Sequence, residues 1–274
     1  MVQLIGVDGC PAGWVVAESH LVAEGARPLA APQFRIARTF SELLASLTEA
    51  EAIIGVDIPI GLAGGAPDAD GDRLADQAAR RFVGGRRAAS VFSAPCRRTL
   101  TVGDYAAACA SEQAARGKML SRQAFGILPK IREVDAAISP AHQLPPGPTD
   151  GESAGVRVRE VHPEVTFAVL CGDGEAGHGL KDAKRTPSGE AERLALLRPF
   201  VGDVDVPGTR GDLHLRHRAQ APGTGLGRIV GRDDIVDALA CLVTAYRIVT
   251  GRARTLPEDV VQKDARGLRM EIVA

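Results

Sequence analysis

The sequence predicts an α/β fold with three layers and a mixed sheet. Apolar runs ending in turn residues come first, and strand and helix patterns then alternate. The first runs are spaced as hairpins, which puts antiparallel strands into the sheet. A helical segment at about 61–150 lies between two strands, so the chain reads as one domain over 1–274 that carries a helical insertion.

Val2 to Asp8 is a short apolar run closed by Asp-Gly, a buried strand followed by a turn. Trp14 to Ala17 reads as its antiparallel partner, and Phe34 to Ala37 as a third strand. Ser41 is expected to cap a helix that places Leu43, Leu44 and Leu47 on one face. Ala52 to Asp57 is a second apolar run ending in an aspartate, and Ile58-Pro59 breaks it. The Ala-, Arg- and Gln-rich insertion predicts helices near 71–82, 103–115 and 121–137. The stretch 139–155 is Pro/Gly-rich and reads as a loop. Val156 to Val161 alternates as a half-exposed strand does, and Pro163 suits the first turn of a helix over 163–171. A helix is expected over 187–198, a loop over 202–231, and a long helix to about Thr250 capped by Asp233 or Asp234. The tail from Leu268 to Ala274 reads as an edge strand, and no internal repeat is found.

Composition sets limits on function. The 274 residues carry 33 Lys+Arg against 34 Asp+Glu, a net charge of -1, with 45% hydrophobic residues. Disorder and bulk-charge binding of nucleic acid are both excluded by that balance. The charge is uneven, however. From Arg73 to Arg132 the chain is at +9, leaving -10 elsewhere. A solvated helical surface explains such a window, and so does a phosphate-contacting face. Arginine outnumbers lysine 28 to 5 and asparagine is absent, a bias that a GC-rich coding sequence or selection for phosphate contacts would produce. Cys10, Cys96, Cys109, Cys171 and Cys241 show no paired spacing, so neither a disulfide framework nor a zinc ribbon is expected. No apolar run is long enough to span a membrane, and the N-terminus enters a strand pattern at once. A cytoplasmic protein with reduced thiols is the expectation.

The candidate chemistry lies in the acids. Asp8 and Asp57 each end an apolar strand, and strand carboxyl ends face the ligand crevice of an open α/β sheet. Either alone reads as a turn cap, but together they read as a site. Two such carboxylates repel unless a cation joins them. Asp234 and Asp237 share one face of an otherwise apolar helix, where Asp237 needs a partner. Glu160, His162 and Glu164 follow a strand, and His162 is a candidate base or metal ligand. The alternative there is a plain strand-to-helix junction. Gly223, Gly225 and Gly227 lack a preceding strand and so make no dinucleotide fingerprint. His214 and His217 lie in a basic loop without neighbouring cysteines, a poor metal site.

Six ordered motifs then carry a resemblance. They are GVDGCPAGW at 6–14, DIPIGL at 57–62, SVFSAP at 90–95, QAFGILPKIREVD at 123–135, EVHPEVTF at 160–167 and DDIVDALACLVTA at 233–245. Together they resemble the domain-of-unknown-function family 429 over almost the whole chain. That resemblance implies a ribonuclease H-like fold and predicted nuclease activity. Enzymes of that wider superfamily carry acids on the first strand, at the end of the fourth strand and on the last helix. Asp8, Asp57, Asp234 and Asp237 match those positions, and Glu160 and His162 are implied to share the cleft. The resolvases of the superfamily carry Glu on the fourth strand, so the shorter Asp57 is a departure. The large insertion is another.

The reading that follows is a metal-dependent phosphodiesterase acting on nucleic acid. Asp8, Asp57 and Asp237 would bind Mg²⁺ or Mn²⁺, with Asp234 or Glu160 completing the shell and His162 handling protons. Arg87, Arg97 and Lys130 are the candidate phosphate contacts. Resolvase-like activity would predict a homodimer. One alternative is an ATP-dependent small-molecule kinase of the actin-like superfamily, which the absence of a second Asp-Gly phosphate motif disfavours. Another is a non-catalytic binding protein that keeps a remnant site; metal binding separates it from the first reading.

Overall fold

Leu4, Ile5, Gly6 and Val7 alternate between two apolar faces, so the strand they form must be covered on both sides. The computed structural model describes residues 2–274 apart from 24–26, 48, 50, 65–71, 144–154, 173–175, 177, 178, 205 and 207–229. Among them, β1 (Val2–Cys10), β2 (Gly13–His20), β3 (Gln33–Ala37), β4 (Glu51–Val56) and β5 (Val156–Glu160) form a five-stranded sheet in the order β3-β2-β1-β4-β5. The first three strands pair antiparallel, while β4 and β5 run parallel to β1. The sheet is mixed, as expected.

Helices cover both faces and make the three layers. On one side lie α6 (Pro163–Cys171), α7 (Pro187–Val201) and α8 (Arg232–Val249). Their Phe167, Leu197 and Leu239 pack with Leu4, Val15 and Ile53. On the other side α1 (Phe40–Ala45) and α5 (Leu128–Ala137) bring Phe40, Leu43, Ile131 and Val134 against Ile5, Val7, Ile54 and Val56. Helix α8 is buried from Ile235 through Tyr246, and apart from Asp237, Thr244 and Tyr246 that stretch is apolar.

Glycine sets how close α8 comes. A Cβ at Gly6 would lie 1.9 Å from the Ala238 carbonyl oxygen, and one at Gly55 would lie 2.6 Å from that of Cys241. Both glycines face α8, and they are register partners on β1 and β4. The helix backbone therefore rests directly on the sheet beside the carboxyl ends of both strands.

The chain between β4 and β5 holds α2 (Leu74–Val83), α3 (Tyr105–Arg116), α4 (Arg122–Gly126) and α5. Helix α2 packs on Val165 and Val169 of α6, and α3 and α4 share a cluster of Ala108, Cys109, Leu120 and Ala124. The single helix expected over 121–137 is two helices broken at Ile127, with Pro129 in the first turn of α5. Thr39 caps α1 in place of Ser41, accepting from the Glu42 amide. Gly231 caps α8, and Asp234 instead accepts a hydrogen bond from the Gly231 amide at 2.9 Å. The tail forms β7 (Ile272–Val273), which pairs with β6 (Thr255–Leu256) and touches the main sheet by one parallel bridge from Val273 to Val161. Most of 139–155 and of 202–231 lies outside the described residues, as do His214, His217 and Gly223, Gly225 and Gly227. No helix among the described residues is long and apolar enough to cross a membrane.

Candidate metal centre

Parallel pairing of β1 with β4 decides which side chains meet. Gly6 pairs with Gly55 and Val7 with Val56, so Asp8 and Asp57 arrive at the same level. The Asp57 amide extends this ladder one step beyond β4, donating to the Val7 carbonyl at 2.9 Å. The tetrapeptide Ile-Gly-Val-Asp thus occurs twice, at 5–8 and 54–57, once on each strand. It is too short to count as a structural repeat, but it marks the site. Glycine admits α8, and two residues on, alternation turns the aspartate to the same face.

Helix α8 then delivers Asp237. One carboxylate oxygen from each of Asp8, Asp57 and Asp237 lies within 4.8 Å of the others, and Asp8 and Asp237 are 8% and 3% exposed. Burial is the main force raising the pKa of all three, which favours their protonated forms. Asp57 and Asp237 push Asp8 well above the usual carboxylate range after burial. Asp57 is pushed up to about 8, by burial and then by the charge of Asp237. Three acids sharing one volume, Asp8 and Asp237 buried and Asp57 half-buried, form a set of hard oxygen donors suited to a divalent cation. Asp234 stands one turn earlier, raised mainly by burial and held by the Gly231 amide.

Lys184 is the candidate site residue that the sequence alone did not single out. Its Nζ donates to Asp237 Oδ2 at 2.7 Å. Burial pulls Lys184 down, but the charge and hydrogen bond of Asp237 outweigh it and raise the ammonium well above its ordinary range. The neighbouring Arg185 pairs with Asp233 at 3.0 Å. Lys184 is one of only 5 lysines in a chain of 28 arginines, and that scarcity was the available signal.

The acids form the floor of a cleft of about 870 Å³. Glu160, His162 and Glu164 also line it, but they belong to different elements: Glu160 ends β5, His162 caps α6 and Glu164 lies in its first turn. Glu160 is gripped by Arg73 at 2.7 Å and accepts the Ile60 amide at 2.7 Å. Burial raises it to about 7 despite the Arg73 charge. Glu164 pairs with the buried Arg193. His162 begins α6, its carbonyl accepting from the Val165 and Thr166 amides. Its Nδ1 is buried without a hydrogen-bond partner, and burial lowers its basicity, which keeps the ring neutral.

The three candidate phosphate contacts separate. Arg87 lines the cleft, with its Nε donating to the Leu180 carbonyl at 2.7 Å. Lys130 lines it too, donating to the Gly13 carbonyl and standing 4.4 Å over the Trp14 ring. Arg97 does not line it: its guanidinium binds Asp135 at 2.9 Å and also pairs with Asp264.

Against known families, a model described as "Protein of unknown function (DUF429)" matches residues 6–262. No curated protein and no solved structure matches.

Proposed function

We propose that this chain, which belongs to the family of proteins of unknown function DUF429, is a divalent-metal-dependent phosphodiesterase that acts on nucleic acid in the cytoplasm. The observation that carries the reading is the convergence of Asp8, Asp57 and Asp237 from three separate elements to within 4.8 Å. The strand order β3-β2-β1-β4-β5, with acids on β1, after β4 and on the last helix, supports a ribonuclease H-like assignment. Fold alone would not carry an activity.

Asp8, Asp57 and Asp237 would hold Mg²⁺ or Mn²⁺, since carboxylates are the donors these ions prefer. Such an ion supplies Lewis-acid stabilisation of the charge that develops on a phosphodiester. The protein's own groups do the rest. Asp234, one turn before Asp237, completes the acidic set. Lys184 neutralises Asp237 in the metal-free protein, and its ammonium is placed to pair with a substrate phosphate once a cation replaces it. His162, which lines the cleft and is kept neutral by burial, is the group that accepts a proton. Glu160 acts by position, tying α2 and residues 58–60 to the end of β5 through Arg73 and the Ile60 amide. Arg87 and Lys130 meet phosphates at the cleft wall.

The test compares wild type with Asp8→Asn on branched, duplex and single-stranded DNA and RNA with Mn²⁺ present. Wild type should cleave at least one of them, and the variant should lose about 100-fold or more of that rate. Equal rates in both proteins, or no cleavage by wild type across the panel, would reject the activity.

A further inference from the structure

The cleft is built for one kind of nucleic acid. Its volume of about 870 Å³ lies within the range of roughly 300–1,000 Å³ typical of small-molecule sites. The acids sit at its floor, with Asp8 and Asp237 nearly buried. The helical insertion contributes the half-buried Phe92 and Ile127 and the exposed Pro129 to its lining. Cations also line it: Arg87 and Lys130 from the chain between β4 and β5, and Lys184 from the segment before α7. A paired duplex presents its phosphates on the outside, but as a stiff rod that does not fit as a whole into a cleft of this volume, so it meets the rim and not the nearly buried acids. An unpaired strand can reach them, because its bases are free to leave the stack and lie on flat apolar groups while the backbone follows the cations.

We infer that the cleft takes an unpaired nucleotide of a single strand, with the base against the Phe92 wall and its phosphate over the aspartates, and that paired duplex is excluded. The inference rests on the phosphodiesterase reading and narrows its substrate. Phe92 is then a specificity-determining residue. It lies within the SVFSAP motif at 90–95, which the metal chemistry leaves unused.

Binding, not cleavage, tests it. Full-length Asp8→Asn protein is titrated with a fluorescein-labelled single-stranded oligonucleotide and with a blunt duplex of the same sequence. Anisotropy reads affinity. The fluorescence of Trp14, the one tryptophan, reports occupancy of the rim through Lys130. Single strand should bind about tenfold tighter than duplex or better, and Phe92→Leu, which keeps the apolar packing but not the ring, should weaken single-strand binding by about tenfold. Phe92→Trp should restore it. Equal affinity for both nucleic acids, or unchanged single-strand binding in Phe92→Leu, overturns the inference; if wild type still cleaves, the phosphodiesterase reading stands. No binding and no wild-type cleavage of any nucleic acid overturns both.

Discussion

Asp57 is a carboxylic acid held near pH 8 by burial and by Asp237. In the unfolded chain it titrates near 3.8. Between those values the folded state binds the proton and the unfolded state does not. The metal-free protein should therefore lose stability as pH rises from the unfolded to the folded value. A divalent cation reverses the trend, because it competes with protons for the same oxygens and gains affinity as they leave. At one fixed Mn²⁺ concentration the dissociation constant falls as pH rises, and the stabilisation, about 2.7 kcal/mol where the ion stands at 100 times that constant, grows with it, so the melting shift should be larger at pH 8.5 than at pH 6. Calorimetry at both values checks this, and a shift that shrinks with pH would contradict it. Asp8 and Asp57 were legible in the sequence because each ends an apolar run. Lys184 was not, because nothing local marks it: its partner Asp237 lies on α8, 53 residues further along the chain.

The elements matter because they set the spacing of those side chains. Helix α8 must lie on β1 and β4 closely enough to bring Asp237 to the strand ends, and Gly6 and Gly55 allow it. Gly6→Ala puts a methyl against the backbone of Ala238 and Leu242, which cannot fold away as a flexible side chain would. We expect a loss of about 1–3 kcal/mol or more from overpacking. The loss of Mn²⁺ affinity should be larger than that of a surface variant of equal stability. Urea unfolding and a Mn²⁺ titration measure the two, and a destabilised variant with unchanged affinity would show that α8 does not set the site. Strands β1 and β4 were legible because their apolar runs are nearly continuous, β5 because its residues alternate, and α8 because it is long and mostly apolar. The break between α4 and α5 at Ile127 was missed because the pattern is helical on both sides of it. The cap of α8 was missed because two aspartates follow Gly231 and look like caps, while Asp234 works from inside the first turn.

At the scale of the whole molecule the +9 window over Arg73 to Arg132 is mostly spent internally. Arg73 grips Glu160, Arg97 binds Asp135 and Asp264, and Arg116 pairs with Asp72 and Glu112. Arg132 donates to the Leu100 and Val102 carbonyls. A charge count shows the excess but not its partners, since those are distant in sequence. What the insertion presents to the cleft is narrower: Arg87 and Lys130, with the apolar Phe92, Ile127 and Pro129, in the same lining as the aspartates. The molecule therefore concentrates opposed charge at one place, and the cation that would reconcile it is the central claim. The most direct measurement is an anomalous difference map from crystals soaked in Mn²⁺. A peak coordinated by Asp8, Asp57 and Asp237, with Lys184 displaced from Asp237, is the predicted result. Crystals that show no peak there, with Lys184 still bonded to Asp237, would contradict it.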